Sequence, residues 1–231
     1  MPRDVGVILV AAGQGTRLGG DTPKQYLPLA GVPVVLRALR PFTAHPEVGQ
    51  VVLVLPAADA ARPPGFLVEL VGPALVLAAG GEERRDSVAA GLAALGPDCT
   101  VVLVHDAARP LVERGVIDAV IRRARAGEGA VAAVPLGDTL KEAEANDPTR
   151  VARTVPRDRL WRAQTPQGFP RELLARAYAT AGSGGAGATD DAMLVEACGG
   201  IVRLVPDSPR NLKITTADDL ALAELLAGAG P

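Results

Sequence analysis

The sequence predicts an α/β fold with a doubly wound, mostly parallel sheet, and three observations lead to this prediction. Short apolar runs alternate along the chain with helical segments, which is typical of parallel strands covered by helices. Hydrophobic residues make up 48% of the chain and aromatic residues only 3%, so the core is aliphatic, as in buried parallel strands. The first apolar run leads into a glycine-rich loop, which is typical of a strand that feeds a phosphate-binding turn.

Length, charge and cysteine content restrict the class of protein. The 231 residues suit a single domain, which we expect to span residues 1–231. A net charge of -2 produces no positive electrostatic field that would attract nucleic acid or anionic lipid, so we expect neither as a partner. Cys99 and Cys198 are too few for a disulfide scaffold or a zinc site. The apolar run at residues 5–12 is too short to span a bilayer and lacks signal-peptide features, so the sequence predicts a cytoplasmic chain without a membrane segment.

The loop after the first strand is the candidate active site. Gly13 and Gly15 are expected to take positive φ and to let successive N–H groups face one phosphate. Arg17 and Lys24 add two cations, which suits a crowded phosphoryl transition state. From the loop alone, a glycine-rich turn with an incidental Arg and Lys remains an alternative.

Two better-known glycine loops do not fit this stretch. The P-loop pattern needs a Gly-Lys pair, and the sequence contains none. The dinucleotide fingerprint needs a third glycine where Leu18 stands, and an acidic residue at the end of the next strand, where Leu55 and Pro56 stand. The loop therefore predicts a phosphate site of another kind.

The elements that follow alternate between helix and strand. Pro33 is expected to open a helix over residues 34–40, and Pro41 to end it. A second glycine turn, Gly80-Gly81, precedes an Ala/Leu-rich helix over residues 88–95. Other predicted elements in this half are a strand at 51–55, a weak helix at 62–72 and a strand at 74–78.

Polar residues mark the next helix start and strand end. Ser87 before an apolar helix is usually an N-terminal cap, although a helix N-terminus also binds anions and polar rings. The strand at residues 100–104 ends in His105-Asp106, which places a carboxylate at the carboxyl edge of the sheet, where open α/β folds bind ligands. Asp106 is expected either to accept from a sugar hydroxyl or orient hydrated Mg²⁺, or to cap the following turn. His105 is expected to be structural.

The second half of the chain contains one unusual segment. Residues 136–161 are polar and lack a core of their own, so we expect an arm, with a β-hairpin around residues 150–155 that needs a partner surface. The chain is expected to return at 164–170 and then enter a helix. The remaining predicted elements are a helix at 113–126, a strand at 130–134, a helix at 171–181, a glycine-rich linker at 183–188, a helix ending at 197 behind the cap Thr189-Asp190-Asp191, a strand at 201–205 and a helix at 217–226.

An ordered set of motifs spans essentially the whole chain and resembles the 2-C-methyl-D-erythritol 4-phosphate cytidylyltransferase family. The motifs are Ala11-Ala12-Gly13-Gln14-Gly15-Thr16-Arg17, Pro23-Lys24-Gln25, Gly80-Gly81, Asp86-Ser87-Val88, His105-Asp106-Ala107-Ala108-Arg109-Pro110, Thr165-Pro166-Gln167 and Asn211-Leu212-Lys213-Ile214-Thr215. The resemblance implies a Rossmann-like fold, a homodimer joined by the arm at residues 136–161, and Mg²⁺ bound mainly through the CTP phosphates. It also implies transfer of CMP from CTP to methylerythritol phosphate with release of pyrophosphate, by the form of the enzyme without a fused second domain.

The same resemblance implies roles for individual residues. Arg17 and Lys24 match the catalytic cations, and Arg157 and Lys213 match residues that position the acceptor. The nucleotide-binding set that it implies is Ala11, Ala12, Gly13, Gly81, Ser87 and Asp106. The acceptor-binding set is Asp106, Arg109, Thr139, Thr165 and Thr189, and no residue is assigned as a metal ligand. Small departures from the family pattern occur at Gln14, Thr16 and Glu82, none of which has an assigned role.

The chemistry of such a transfer suits a chain with two histidines. An acceptor phosphate is already a nucleophile, so no general base is needed and catalysis reduces to positioning and charge. Two alternatives stay open: cytidylyl transfer to another polyol phosphate such as ribitol 5-phosphate, and a non-catalytic nucleotide-binding protein on the same fold. The presence of both Arg17 and Lys24 argues against the second.

Overall fold

The computed structural model describes residues 2–13, 22–181 and 188–228, and within these ranges the strands form one large sheet and two small ones. The strands in chain order are β1 (Val5–Val10), β2 (Pro28–Leu29), β3 (Val32–Pro33), β4 (Val48–Leu55), β5 (Leu75–Ala79), β6 (Val101–Asp106), β7 (Gly129–Pro135), β8 (Leu140–Glu144), β9 (Asp147–Val155), β10 (Trp161–Pro170) and β11 (Val202–Pro206). The helices are α1 (Val34–Thr43), α2 (Ala57–Ala61), α3 (Gly65–Val68), α4 (Arg84–Ala94), α5 (Arg114–Arg125), α6 (Arg171–Ala181), α7 (Asp191–Ala197) and α8 (Ala217–Gly228).

The large sheet has the strand order β11-β7-β10-β6-β1-β4-β5. The pairs β1–β4, β1–β6, β4–β5 and β7–β11 are parallel, whereas β10 runs antiparallel to both of its neighbours, β6 and β7. The structure thus confirms an α/β fold with a mostly parallel sheet.

The core lies on both faces of this sheet, because successive side chains of a strand point to opposite faces. Val5, Val7 and Leu9 of β1 face one aliphatic cluster that α1 and α5 cover. Ile8 belongs to the cluster on the other face, which α4, α6 and α7 cover. Since helices cover both faces, the central strands are buried along nearly their whole length, and polar groups reach solvent at the strand ends.

Two helix predictions are wrong in their extent. Pro41 does not end α1 but lies inside its last turn. The missing N–H removes one backbone hydrogen bond, and the complete burial of the neighbouring Phe42 stabilises this turn. The helix predicted over residues 62–72 is reduced to α3, because Arg62 is the C-terminal cap of α2 and two prolines separate the two helices.

β10 is the strand of the large sheet that the sequence did not indicate. Residues 164–170 were expected to be a returning connection, but they belong to a strand in the middle of the sheet. Gln164, Thr165 and Gln167 are all buried there. Polar residues of this kind are not typical of a central strand, so periodicity alone could not identify it. Residues 183–187 of the predicted linker lie outside the described ranges.

The predicted arm is present as a separate two-stranded sheet. β8 and β9 pair antiparallel, and nearly all of their residues are exposed. Cross-strand ion pairs join Glu142 to Arg153 and Glu144 to Arg150. This confirms the hairpin, while the role of the arm in dimerisation stays a prediction. Of the helices in the described ranges, none combines the length and the apolar character needed to cross a lipid bilayer.

Candidate active site

The candidate site lies at the carboxyl edge of the sheet, where β1 and β6 are neighbours. Val10 and Asp106, the last residues of the two strands, are paired in register. The chain moves from β1 toward β4 and β5 in one direction, and β6 starts the other half of the sheet. Such a switch in direction leaves a crevice beyond the strand ends, which is where open α/β sheets bind ligands.

A pocket of about 190 Å³ occupies this crevice. Residues predicted to act in the site and found in its lining are Ala11, Ala12, Gly13, Lys24, Gly81, Ser87, Asp106 and Lys213. They come from the end of β1, the turn before β2, the start of α4, the end of β6 and the segment before α8. The fold therefore brings together residues as far apart in the sequence as Ala11 and Lys213.

The backbone at the end of β1 differs from the expected phosphate loop. The N–H of Ala11 donates to the carbonyl oxygen of Val54 at 2.8 Å, so it continues the sheet ladder and does not face the pocket. Gly13 has no left-handed φ, and among the described residues, its chain neighbours aside, no heavy atom lies within 4 Å of the position that a Cβ would take. The expectation of positive φ is thus wrong for Gly13. Gly15 and Arg17 lie outside the described residues.

Lys24 begins a single turn of 3-10 helix, Lys24–Tyr26. The turn is fixed to the body of the protein, because the Tyr26 hydroxyl donates to Asp59 Oδ2 at 2.6 Å. Burial, and then Asp59, raise the pKa of this hydroxyl, so it stays a donor. The anchored turn places the half-buried Lys24 in the wall of the pocket.

The start of α4 forms another wall. The helix begins after Glu83, whose N–H donates to Asp86 Oδ2 at 3.1 Å, so the prediction of Ser87 as the N-terminal cap is wrong. Ser87 is buried inside the helix, and its hydroxyl donates to the Glu83 carbonyl oxygen at 3.3 Å. A Cβ at Gly80 would lie 2.4 Å from the Ala12 Cβ and 2.7 Å from the Ser87 Oγ. Only glycine lets these two sides of the pocket meet.

Asp106 is the centre of a cluster of charges. Its Oδ1 accepts from Arg84 Nε at 3.1 Å, its Oδ2 lies 2.8 Å from Lys213 Nζ, and Arg109 Nε is 4.0 Å from Oδ2. Burial alone would raise the pKa of this carboxyl, but the Arg84, Lys213 and Arg109 cations outweigh burial and hold the pKa well below its usual range. Asp106 is therefore a carboxylate at every physiological pH.

A chain of hydrogen bonds fixes the backbone on both sides of Asp106. The Asp106 N–H donates to Thr165 Oγ1 at 3.1 Å, and the Thr165 hydroxyl lies 3.0 Å from His105 Nδ1. His105 Nε2 lies 3.0 Å from the carbonyl oxygen of Arg109, which can only accept, so Nε2 carries the proton and Nδ1 accepts from Thr165. Complete burial lowers the pKa of His105 to about 4, which keeps the ring neutral. His105 is structural, as expected.

This bonding pattern limits what Thr165 can offer a ligand. Its hydroxyl proton is directed to His105 and one lone pair is used by the Asp106 N–H. One lone pair remains. A ligand that contacts Thr165 Oγ1 must therefore donate a hydrogen bond, as a hydroxyl group does.

A second pocket, of about 220 Å³, lies on the other side of Asp106. The predicted acceptor residues Asp106, Arg109, Thr165 and Thr189 line it, and so does Lys213. Thr139 and Arg157 do not line either pocket of their own chain. Thr139 is exposed at the base of the arm, and the exposed Arg157 donates to the carbonyl oxygen of Gly137.

The sequence did not indicate that Arg84 links these pockets or that the buried Asp191 anchors it. Arg84 lines both pockets, and its NH1 donates to Asp191 Oδ2 at 2.9 Å while its Nε holds Asp106. Asp191 is only 1% exposed and also accepts from the Tyr178 hydroxyl at 2.6 Å. Arg84 stands within the quoted Gly80–Ser87 stretch, but its partners lie 22 and 107 positions away. No local signal could reveal them.

Among the described residues, one other group of possible metal ligands lies elsewhere. His45, Glu47 and Asp118 have ligand atoms within 4.8 Å of one another. His45 Nε2 is already 2.8 Å from Asp118 Oδ1, and Arg125 binds Glu47. These contacts are a hydrogen bond and an ion pair near the amino end of β4, and none of the three residues lines either pocket.

Comparison with known proteins agrees with this geometry. A family model described as 2-C-methyl-D-erythritol 4-phosphate cytidylyltransferase matches residues 5–228. A protein of that name from Pelotomaculum thermopropionicum is 44% identical over 227 residues, covering 97% of this chain and 94% of the relative. The one from Alkaliphilus oremlandii is 41% identical over 220 residues, covering 94% and 92%. The crystal structure of the Thermus thermophilus protein of the same name superposes with a TM-score of 0.81 at 37% identity and covers 97% of this chain and 99% of its own.

Proposed function

The chain belongs to the 2-C-methyl-D-erythritol 4-phosphate cytidylyltransferase family, and from this premise we propose how its residues carry out the reaction. The enzyme transfers the cytidylyl group of CTP to 2-C-methyl-D-erythritol 4-phosphate in the non-mevalonate pathway. The family assignment thus selects this acceptor over ribitol 5-phosphate and an enzyme over a non-catalytic binding protein. The roles of individual residues below are our proposal.

The observation that supports these roles best is the pair of pockets that share Arg84, Asp106 and Lys213. CTP fits the pocket at the end of β1, whose walls carry small residues, and the acceptor fits the pocket lined by Arg109, Thr165 and Thr189. The shared wall is then where the acceptor phosphate meets the α-phosphorus of CTP. This arrangement turns a reaction between two substrates into an oriented one.

The chemical step needs no general base. An oxygen of the acceptor phosphate attacks the α-phosphorus, a new P–O bond forms, and the bond from that phosphorus to the β-phosphate oxygen breaks as pyrophosphate leaves. His105 does not take up a proton, because both of its ring nitrogens are engaged inside the protein. Lys24, together with Arg17, stabilises the negative charge that develops around the α-phosphorus and on the leaving group.

Mg²⁺ fits this site as an ion carried by the nucleotide. The nearest buried carboxylate, Asp106, already has a cation on each oxygen in this structure, which disfavours direct binding of a further cation there. Mg²⁺ commonly keeps few protein ligands and binds substrate phosphates. When bound to the triphosphate, it would neutralise part of the phosphate charge and orient the leaving group.

Recognition of cytosine is assigned to the start of α4. Ser87 lines the pocket and its hydroxyl donates to the Glu83 carbonyl oxygen, so the Ser87 oxygen can accept from a ligand, and Gly81 and Glu82 line the same wall. Cytosine carries an exocyclic amino donor where uracil carries an acceptor. A fixed carbonyl oxygen that faces this position pairs with cytosine and is left unpaired by uracil.

The arm is proposed to join two chains into a homodimer. Its strands are exposed, Val151 is 54% exposed, and an isolated hairpin of this size is marginal without a partner surface. Thr139 and Arg157 lie outside both pockets of their own chain, so we assign them to the acceptor pocket of the partner. A cytoplasmic location is also proposed, since Cys99 and Cys198 are both free thiols.

A pyrophosphate-release assay tests the function directly. With CTP and Mg²⁺, we expect release with 2-C-methyl-D-erythritol 4-phosphate and at most trace release with ribitol 5-phosphate. Mass spectrometry of the product should show the cytidylyl group joined to the acceptor phosphate. Equal release with both acceptors, or pyrophosphate without a joined product, would contradict the proposal.

A further inference from the structure

The two oxygens of Asp106 have partners of different mobility. Arg84 binds Oδ1 and is anchored at its other end by the buried Asp191, which the Tyr178 hydroxyl holds in turn. Lys213 binds Oδ2 through a single ammonium, and its side chain is 40% exposed. Separating a guanidinium from one of two carboxylates that both bind it costs more free energy than separating an exposed ammonium on a flexible side chain from its single carboxylate.

The proposed function requires Lys213 to reach the acceptor phosphate, and this inference rests on that function. We propose that Arg84 is a positioning residue that keeps the Asp106 carboxylate neutralised and in place while Lys213 moves from Asp106 to the acceptor phosphate. Departure of Lys213 frees Oδ2, and a hydroxyl of the acceptor can then donate to it. A polyol phosphate carries both groups that this exchange needs, a phosphate for Lys213 and a hydroxyl for Oδ2.

Arg109 cannot replace Arg84 in this role. Its Nε is 4.0 Å from Asp106 Oδ2, and its NH1 donates to the Asn211 carbonyl oxygen at 2.8 Å. The direction of its guanidinium is therefore set by the segment before α8. Without Arg84, Asp191 would lose its ion pair, and among the described residues Lys213 would be the cation nearest to Asp106. Lys213 would then stay on Asp106, and the acceptor would bind more weakly.

The test is a comparison of steady-state constants between Arg84→Gln and Arg85→Gln. Arg85 is the next residue of α4, receives the same chemical change and lines neither pocket. We expect Arg84→Gln to raise the KM for 2-C-methyl-D-erythritol 4-phosphate roughly 10- to 100-fold, the effect of losing a charged hydrogen bond, and to change the KM for CTP less than about threefold. Arg85→Gln should change neither constant. An unchanged acceptor KM in Arg84→Gln, or an equal rise in both KM values, would overturn the proposal.

A second variant separates positioning from folding. In Arg84→Gln the buried Asp191 is left without its cation, which by itself could distort the site. Arg84→Gln/Asp191→Asn removes that unpaired charge but still leaves Asp106 without a fixed partner. The acceptor KM should stay raised in the double variant. Its return to the wild-type value would show that Arg84 acts only by pairing with Asp191.

One further measurement distinguishes failure of this inference from failure of the proposed function. If the wild-type enzyme releases no pyrophosphate with the acceptor, the function is wrong. Calorimetric titration measures the affinity of the enzyme for inorganic phosphate without turnover. Phosphate binding in this site requires only that Lys213 leave Asp106. Phosphate should bind Arg84→Gln at least about tenfold more weakly than wild type or Arg85→Gln. Equal affinities would reject the role of Arg84 whatever the acceptor.

Discussion

The neutral state of His105 predicts a specific loss of stability in acid. His105 is fully buried against Phe42, with ring centroids 4.9 Å apart, and burial lowers the pKa of its imidazole from 6.5 to about 4. In the unfolded chain the ring takes up a proton as the pH falls through 6.5, whereas the folded chain resists until about 4. The stabilisation is therefore fully present above pH 6.5 and is lost as the pH falls to 4.

The size of the loss follows from the two pKa values. Each pKa unit corresponds to about 1.36 kcal/mol, so the difference between 6.5 and about 4 amounts to roughly 3 kcal/mol of unfolding free energy between pH 7 and pH 4. His105→Gln lacks this titration, although it loses the bond to Thr165 and is expected to be about 1–3 kcal/mol less stable at pH 7. The two unfolding free energies should therefore converge as the pH falls to 4, and their difference should change by roughly 3 kcal/mol in favour of the variant.

Urea unfolding at a series of pH values and one protein concentration measures this convergence. Carboxylates that titrate in the same range are common to both proteins and cancel in the difference. Ile117→Val is the matched control, because it removes a buried methyl at a cost of about 0.5–1.5 kcal/mol without touching a titratable group, so its loss should be the same at both pH values. If His105→Gln and wild type lost equal free energy between pH 7 and pH 4, the buried neutral imidazole would be refuted.

Three further predictions concern activity. Lys24→Ala and Arg17→Ala should each lower kcat by about 10²–10³ with little change in CTP affinity, measured by pyrophosphate release and calorimetry, and near wild-type turnover would contradict the proposed roles. The kcat/KM for CTP should exceed that for UTP in a competition assay, and Ser87→Ala should reduce the ratio of these two values. Equal kcat/KM values for CTP and UTP in the wild type would contradict recognition of cytosine at the start of α4. Co-expressed Lys24→Ala and Arg157→Ala chains should form mixed dimers in roughly half of all cases and restore roughly a quarter of the sites. Absence of recovery in dimers confirmed by tag pull-down would place Arg157 in its own chain's site.

The sequence predicted those parts of the fold that local pattern controls. The strands at β1, β4, β6 and β7 are apolar runs long enough to be recognised, and the abrupt change to His105-Asp106 identified the carboxyl edge. β10 was missed because Gln167, in a central strand, is satisfied from a distance: its amide donates to Asp190 and accepts from the Ala192 N–H. Such hydrogen bonds form only in the folded protein, so neither the composition nor the hydrophobic periodicity of the sequence can predict them.

The candidate site shows the same division. The sequence predicts Ser87 and Lys213 as site residues, and both line the pocket. It does not predict the residues that bind them, Glu83 and Asp106. The sequence predicts Ser87 as a cap because it places the start of the helix just before residue 88, whereas Glu83 and Asp86 begin the helix one turn earlier. Lys213 and Asp106 lie far apart in the sequence, and only the assembled sheet brings the two together.

The position of β10 bears on how the chain folds during synthesis. β6 and β7 leave the ribosome before the arm does, yet they are not neighbours, because β10 lies between them. Until residue 170 has emerged, the growing sheet has a gap next to β6, and Asp106 lacks the Thr165 hydroxyl that holds its N–H. A nascent chain stopped at residue 160 would expose the unpaired edges of two apolar strands, surfaces that chaperones bind and that aggregation exploits. The strand that completes the edge of the candidate site is thus also the strand that covers the facing edges of β6 and β7.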